Sequence, residues 1–214
     1  MKKKLIMVTG RILSIGKLIV LLPLIIGLIA CGKDDDNPVN AELSVSEMID
    51  RGWERFEEAD YSGALIEFEA AIERGGDIAD AHNGAGWSAG QLTNSLSVAA
   101  ASFSRSLATD TTMYDALGGW AFIAFQQDEF TSAIEKADSL LHRRPGWRFL
   151  HQTSLDFRDV RLMTAHSYFF MLDFESCYRI IVDYFTPSFV TDVDTEQGRI
   201  DLQQEMERLR RKYG

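Results

Sequence analysis

The feature that most constrains the fold is an internal repeat with a period of about 34 residues. A Gly-Trp pair recurs with spacings of 34 and 33 residues, at 52–53, 86–87 and 119–120. Each pair is followed by a turn and a second helical stretch, as in RGWERFEEADYSGALIEFEAAIERG at 51–75. Two helices of this length cannot bury enough apolar surface to be stable alone. The period therefore predicts a solenoid in which neighbouring helix pairs cover one another.

Small residues within the repeat resemble those of the tetratricopeptide repeat family. Gly52 and Ala64 lie twelve residues apart, the spacing that lets the two helices of a family repeat approach closely, and Phe68 and Ala71 match its next two positions. The second unit matches with one inserted residue, at Gly86, Ala99, Phe103 and Ser106. The resemblance implies an all-α fold, an α-solenoid of helix-turn-helix repeats that binds proteins or peptides.

The third and fourth units follow the pattern less regularly. In the third unit, an alignment on Ala133 makes Ala121 the small residue of the first helix, whereas an alignment on Gly-Trp shifts that helix by two residues. The sequence leaves both alignments open. In the fourth unit Ala165 and Cys177 lie twelve residues apart, after an insertion of about ten residues.

The repeat spacings, together with the composition and apolar pattern of the two chain ends, predict how the chain divides. We expect a signal peptide at 1–30, an acidic tether at 31–44, a repeat domain at 45–185, and a linker with a capping helix at 186–214. Within the repeat domain the expected units are 45–78, 79–113, 114–147 and 158–185, with an insertion at 148–157.

Two segments outside the repeats carry apolar patterns of their own. The stretch GWRFLHQTSLDF, 146–157, is too apolar for a solvated loop, so we expect it to pack against the solenoid in a partly extended form. The C-terminal segment predicts an amphipathic helix with one apolar stripe, at Leu202, Met206, Leu209 and Tyr213. A cap over the last repeat is the favoured interpretation, and a dimerisation helix is the alternative.

The N-terminus has the pattern of a lipoprotein signal peptide. Five basic residues and no acidic ones precede an apolar run of 13 residues from Leu18 to Ala30, which is short of the roughly 20 needed to span a bilayer. Leu28-Ile29-Ala30-Cys31 resembles the bacterial lipobox. The resemblance implies cleavage after Ala30, acylation of Cys31 and a bacterial cell-envelope location, expected at the outer membrane. An ordinary secreted protein with a chance cysteine is the alternative.

The charge of the chain argues against nucleic acid as a partner. The sequence holds 22 basic and 32 acidic residues. Removal of residues 1–30 takes away five basic residues, leaving 17 against 32 and a net charge of −15. Such a surface repels phosphate backbones. The sequence does not decide whether the chain forms homo-oligomers.

We find no residue set that predicts catalysis, a cofactor or a metal, so the chain is not expected to be an enzyme. The four histidines are scattered and match no zinc-binding spacing, at His82, His142, His151 and His166. The stretch DVDTEQG, 192–198, lacks the glycine and glutamate positions of a calcium loop and is better suited to starting the last helix, with Asp194 or Thr195 as its cap. Cys177 is expected to be a buried small hydrophobic residue.

The remaining functional candidates are aromatic. Ile49, Trp53 and Phe56 share one helical stripe, and Trp87 is equivalent to Trp53 one repeat later. In the tetratricopeptide repeat family, which the chain resembles, this stripe borders a concave groove for peptides. Aromatic stripes more often face a core, however. We therefore expect an adaptor or assembly subunit for an unidentified envelope protein or peptide. The alternative is a solute- or glycan-binding lipoprotein, which a deep apolar pocket around 146–157 would favour.

Overall fold

The structure is a computed structural model that describes residues 43–213. Within that range the chain forms nine α-helices, and none of them is both long and apolar enough to cross a membrane. The helices are Val45–Glu57 (α1), Tyr61–Gly75 (α2), Ala79–Gly90 (α3), Leu96–Thr109 (α4), Tyr114–Gln126 (α5), Phe130–Arg143 (α6), Phe157–Phe170 (α7), Phe174–Tyr184 (α8) and Glu196–Tyr213 (α9). A short 3₁₀ turn, Leu150–Gln152, lies between α6 and α7.

Side-chain caps define where several helices begin. The hydroxyl of Ser44 accepts a hydrogen bond from the Glu47 N–H, and the Glu47 carboxylate accepts one from the Ser44 N–H, so α1 starts with a capping box. The carboxylates of Asp60 and Asp173 accept from backbone N–H groups at the starts of α2 and α8. At α9 the Thr195 hydroxyl accepts from a backbone N–H at 3.0 Å, so Thr195 is the cap residue.

The helices form four hairpins, α1–α2, α3–α4, α5–α6 and α7–α8, joined by equivalent turns. In each turn one residue has a left-handed backbone conformation, with φ between 60° and 65°, and it lies two residues before the second helix. These residues are Ala59, Asn94, Asp128 and Leu172. The shared turn geometry confirms that the chain is built from repeated helix-turn-helix units.

The contacts between hairpins show which side of the solenoid is concave. The first helices of successive hairpins touch, α1 with α3, α3 with α5, and α5 with α7. Within residues 43–213 the second helices make no comparable contacts with one another. Because the first helices are closer together, they line the inner side of the curve, which we call the concave face.

Glycines create the space in which successive hairpins interlock. A Cβ atom added at Gly52 would lie 2.7 Å from the Phe68 ring, and one added at Gly84 would lie 2.2 Å from the same ring. Phe68 of α2 therefore fits between a glycine of its own hairpin and a glycine of the next. The ring is fully buried, so its packing joins the first two units.

The same interlock settles the alignment of the third unit. Phe103 of α4 fits between Gly86 and Gly119, whose added Cβ atoms would lie 2.6 and 2.3 Å from its ring. Gly119 thus takes the role that Gly84 has one repeat earlier. The residue equivalent to Gly86 is Ala121, seven residues into α5 as Gly86 is into α3. The alignment on Ala133 is confirmed, and the third Gly-Trp pair is not equivalent to the first two.

Two hydrophobic clusters run through the described residues. The larger one joins the first three hairpins to the segment between α6 and α7. The second is formed by α7, α8 and α9, from Leu162, Ala165, Cys177, Ile181, Leu202, Met206 and Leu209. The predicted stripe of α9 is therefore covered within the chain, which confirms the capping helix.

Candidate functional site

The predicted groove residues all lie on the concave face, but little of their surface is open. Trp53 is 6% exposed, Phe56 3% and Trp87 0%, and Ile49 is half-buried against the same cluster. Burial of this degree agrees with the core interpretation that the sequence favoured. Partner binding at these four residues stays a prediction.

The cover is supplied by the chain itself, through the segment 146–156. Its two ends are paired by the Phe157 N–H, which donates to the Trp147 carbonyl at 2.8 Å, and by the Phe149 N–H, which donates to the Leu155 carbonyl at 3.0 Å. An antiparallel bridge joins Arg148 to Asp156. The prediction of a partly extended segment packed on the solenoid is confirmed: Trp147, Phe149 and Leu155 are all buried.

Phe149 is the central contact between this segment and the concave face. Its ring stacks on Trp87 with centroids 4.1 Å apart and an interplanar angle of 17°. Trp53 and Phe56 present their rings to it at 6.1 and 5.8 Å, in edge-on geometry. Phe149 is fully buried by these contacts. An aromatic side chain of the protein itself thus packs against three of the candidate groove residues, Trp53, Phe56 and Trp87.

Contacts with α5 and α1 hold the segment at Trp147 and at His151. The Trp147 indole N–H donates to the Asp115 carboxylate at 2.7 Å, and its ring lies over Gly118, where an added Cβ would be 2.9 Å away. Burial raises the pKa of Asp115, and the hydrogen bond from Trp147 opposes that shift. Further along the segment, His151 stacks on Trp53 with centroids 3.7 Å apart, and its Nδ1 lies 2.9 Å from the Glu57 carboxylate.

A second candidate surface, which the repeat pattern of the sequence did not indicate, is exposed at the turns of the third and fourth hairpins. Phe170 is 54% exposed, Met171 45% and Leu172 73%. Phe130 stacks on Phe170 with centroids 5.3 Å apart, and Phe125 lies beside both rings. We call these five residues the turn patch. The available signal was the run FFML, in which Met171 and Leu172 occupy positions where the other turns have small or polar residues.

In the described part of the chain, the acidic, histidine and thiol side chains form no metal-binding cluster, and the thiol lies in the core. Among residues 43–213 no three His, Cys, Asp or Glu side chains are grouped as metal ligands. Cys177 is fully buried beside Met206, and burial raises the pKa of its thiol to about 12, so it is a protonated core residue as predicted. Burial also lowers the pKa of His166, whose Nδ1 lies 2.8 Å from the Leu162 carbonyl oxygen. Cys31 and Ala30 lie outside the described residues.

These features define the protein as an all-α solenoid of tetratricopeptide-type repeats with a C-terminal capping helix. It is similar in fold to the solved structure of MamA MSR-1, with a TM-score of 0.59, 11% identity, and coverage of 79% of this chain and 98% of that one. For MamA AMB-1 the TM-score is 0.57 at 12% identity, with 76% and 96% coverage. For a tetratricopeptide repeat protein from Parabacteroides merdae ATCC 43184 the values are 0.55, 14%, 79% and 61%.

No known family model matches the chain, and no curated protein matches it significantly. At identities of 11–14% the likeness to solved structures concerns the fold alone.

Proposed function

We propose that the protein is a lipid-anchored interaction module of the bacterial cell envelope, which binds a protein or peptide as an adaptor or assembly subunit. The observation that carries the interaction role is the repeat solenoid itself. Stacked helix pairs present a long surface relative to their core, and that surface suits the recognition of other chains. The fold neighbours support the same class of architecture.

The anchor rests on the N-terminal sequence. Leu28-Ile29-Ala30-Cys31 ends the apolar run, and Val45 begins α1 only fourteen residues after Cys31. Acylation of Cys31 would therefore hold the solenoid close to a membrane surface. Two or more acyl chains give stable anchoring, whereas one gives only marginal binding. The outer membrane is the proposed location.

Replacement of the acylated residue tests the anchor directly. The variant Cys31→Ser should leave the membrane fraction and appear in the soluble envelope fraction, because no thiol remains to receive the lipid. Cys177→Ser is the matched control, since that thiol is buried and should not affect partitioning. Retention of the Cys31→Ser protein in the membrane would show that the lipobox interpretation is wrong.

The packing of segment 146–156 supports a protein partner over a solute. A solute-binding protein would need an apolar pocket around this segment, but its aromatic side chains fill the space against Trp53 and Trp87 instead. A partner that leaves this packing intact must use surface beyond the first two hairpins of the concave face.

Photo-crosslinking in cells tests the interaction role from three separate faces. A photoreactive residue at Leu150, Ile66 or Leu172 replaces a side chain that is 64%, 64% or 73% exposed, so the fold should tolerate it. One dominant protein adduct from at least one position would support the adaptor role. No protein adduct from any position, in cells with abundant folded protein, would refute it and favour the solute-binding alternative.

A further inference from the structure

We propose that the turn patch, formed by Phe125, Phe130, Phe170, Met171 and Leu172, is a docking surface for a cationic amphipathic segment of a partner protein. This inference rests on the proposed interaction role and assigns it to one surface. The two turns that form the patch touch directly, since the Thr131 hydroxyl lies 4.0 Å from the Met171 sulfur. The patch is thus one continuous surface.

The exposure of the turn patch distinguishes it from the rest of the solenoid. Three consecutive large apolar side chains, Phe170, Met171 and Leu172, are each between 45% and 73% exposed. Single exposed apolar residues are ordinary, whereas a contiguous cluster marks an interaction site. Aromatic rings provide rigid anchors, and a methionine side chain adapts to the shape of different ligands.

The backbone at Leu172 gives an independent reason to expect a function. Its φ of 62° is the left-handed conformation, and the equivalent residues of the other turns are Ala59, Asn94 and Asp128. Asparagine and aspartate tolerate this conformation, but a large apolar side chain rarely adopts it. Strain of this kind concentrates at functional sites. The turn therefore holds a leucine in solvent at a position where a polar residue would be easier to accommodate.

The charges beside the patch define the partner's chemistry. The stretches 126–131 and 170–176 contain four acidic residues and no lysine or arginine. Asp128 and Glu129 directly precede Phe130, and Asp173 and Glu175 follow Leu172. All four are exposed. Two arginines also contact the second stretch, but they do so C-terminal to the patch residues: Arg199 lies over the Phe174 ring, and Arg179 donates to the Ser176 hydroxyl. An apolar surface with an acidic margin complements a helix or extended segment that carries apolar anchors flanked by lysine or arginine.

The same charges argue against a lipid surface as the occupant. Membrane-binding surfaces commonly place basic residues around their apolar anchors, because anionic lipids attract them. Here the margin is acidic and would be repelled. The net charge of −10 for the whole sequence has the same sign.

Binding of a defined probe to the full-length protein tests this assignment. The probe is a fluorescently labelled amphipathic peptide of repeated Leu-Lys-Lys-Leu-Leu-Lys-Leu, measured by anisotropy, and the control peptide has glutamate in place of lysine. The variant Leu172→Asn should bind at least about tenfold more weakly, because it loses the most exposed anchor. It should fold well, since asparagine suits this turn and is the natural residue at the equivalent position 94.

Two further variants test whether peptide binding depends on the turn patch and its acidic neighbours, rather than on any exposed apolar side chain. The double variant Asp128→Asn, Glu129→Gln should weaken binding and reduce its dependence on salt. The variant Ile66→Gln removes an equally prominent apolar side chain from α2 and should leave affinity within about twofold. Equal binding by Leu172→Asn and the parent protein, equal weakening by Ile66→Gln, or equal binding of the glutamate peptide would each overturn the proposal.

A vesicle assay and the crosslinking experiment distinguish the remaining outcomes. Leu172-dependent binding to phosphatidylcholine vesicles, with no binding of the lysine peptide, would refute a protein segment as the occupant. In cells, adducts from Leu150 or Ile66 but none from Leu172 would overturn this docking surface and leave the adaptor role standing. The absence of protein adducts from all three positions would overturn both.

Discussion

Replacement of Phe149 is the most informative perturbation, because this residue decides whether the concave face is filled or open. Its ring is fully buried and contacts four aromatic rings, those of Trp53, Phe56, Trp87 and His151. Truncation of a buried phenylalanine to alanine costs about 3–5 kcal/mol. Since aromatic pairs add about 0.5–1.5 kcal/mol beyond the area they bury, we expect Phe149→Ala to lie in the upper half of that range.

A graded series makes the interpretation independent of a single variant. Phe149→Leu keeps most of the side-chain volume and loses the aromatic stacking, so we expect a cost of about 1–2 kcal/mol. Leu150→Ala is the matched control on the adjacent residue, which is 64% exposed, and it should change stability by less than about 0.5 kcal/mol. Domains of this kind are stable by roughly 5–15 kcal/mol, so the alanine variant could approach global unfolding and the leucine variant should remain folded.

Urea unfolding, followed by helical circular dichroism of the soluble Cys31→Ser protein, measures these differences. The slope of the free energy of unfolding against urea concentration shows whether the variants expose the same amount of surface when they unfold. If Phe149→Ala remains folded and costs less than about 1 kcal/mol, the segment is not packed as described. Trp53 and Trp87 would then be open to a partner, as the groove prediction from the sequence requires.

Three further predictions concern packing, pH and thiol reactivity. Gly84→Ala should destabilise by about 1–3 kcal/mol despite the higher helix propensity of alanine, because its Cβ would lie 2.2 Å from the Phe68 ring. Gly90→Ala in the same helix is the control and should cost less, since its nearest contact is a flexible side-chain tip at 3.0 Å; equal effects would contradict the interlock. Burial lowers the pKa of His166, so protons favour the unfolded chain below about pH 6.5. Stability should therefore fall from about pH 7 towards the lower folded pKa, and His166→Gln should flatten that decline in urea titrations; an unchanged slope would refute this. Cys177, with a pKa of about 12, should resist iodoacetamide at pH 8 until urea unfolds the chain, and rapid labelling of the native protein would show that the thiol is accessible.

The sequence by itself determined the repeat architecture, because the residues that close a helix pair recur at fixed spacing. Small residues at Gly52 and Ala64 permit close approach within a pair, and their counterparts predict the next pair without knowledge of distant contacts. The apolar stripe of α9 likewise predicted a cap. Local periodicity is sufficient for such elements, since each helix needs only one buried face.

Only the tertiary structure decided how the third unit aligns with the first two and whether the concave face is covered. The Gly-Trp pair at 119–120 looks equivalent to its predecessors, but Gly119 is there to accommodate Phe103 of the preceding hairpin. The sequence predicted that 146–157 would pack on the solenoid, yet not that Phe149 would lie against Trp87. These two side chains are separated by more than sixty residues, and no local sequence pattern predicts a contact between residues so far apart. Burial of one aromatic residue depends on what the rest of the chain leaves uncovered, which is a property of the folded molecule.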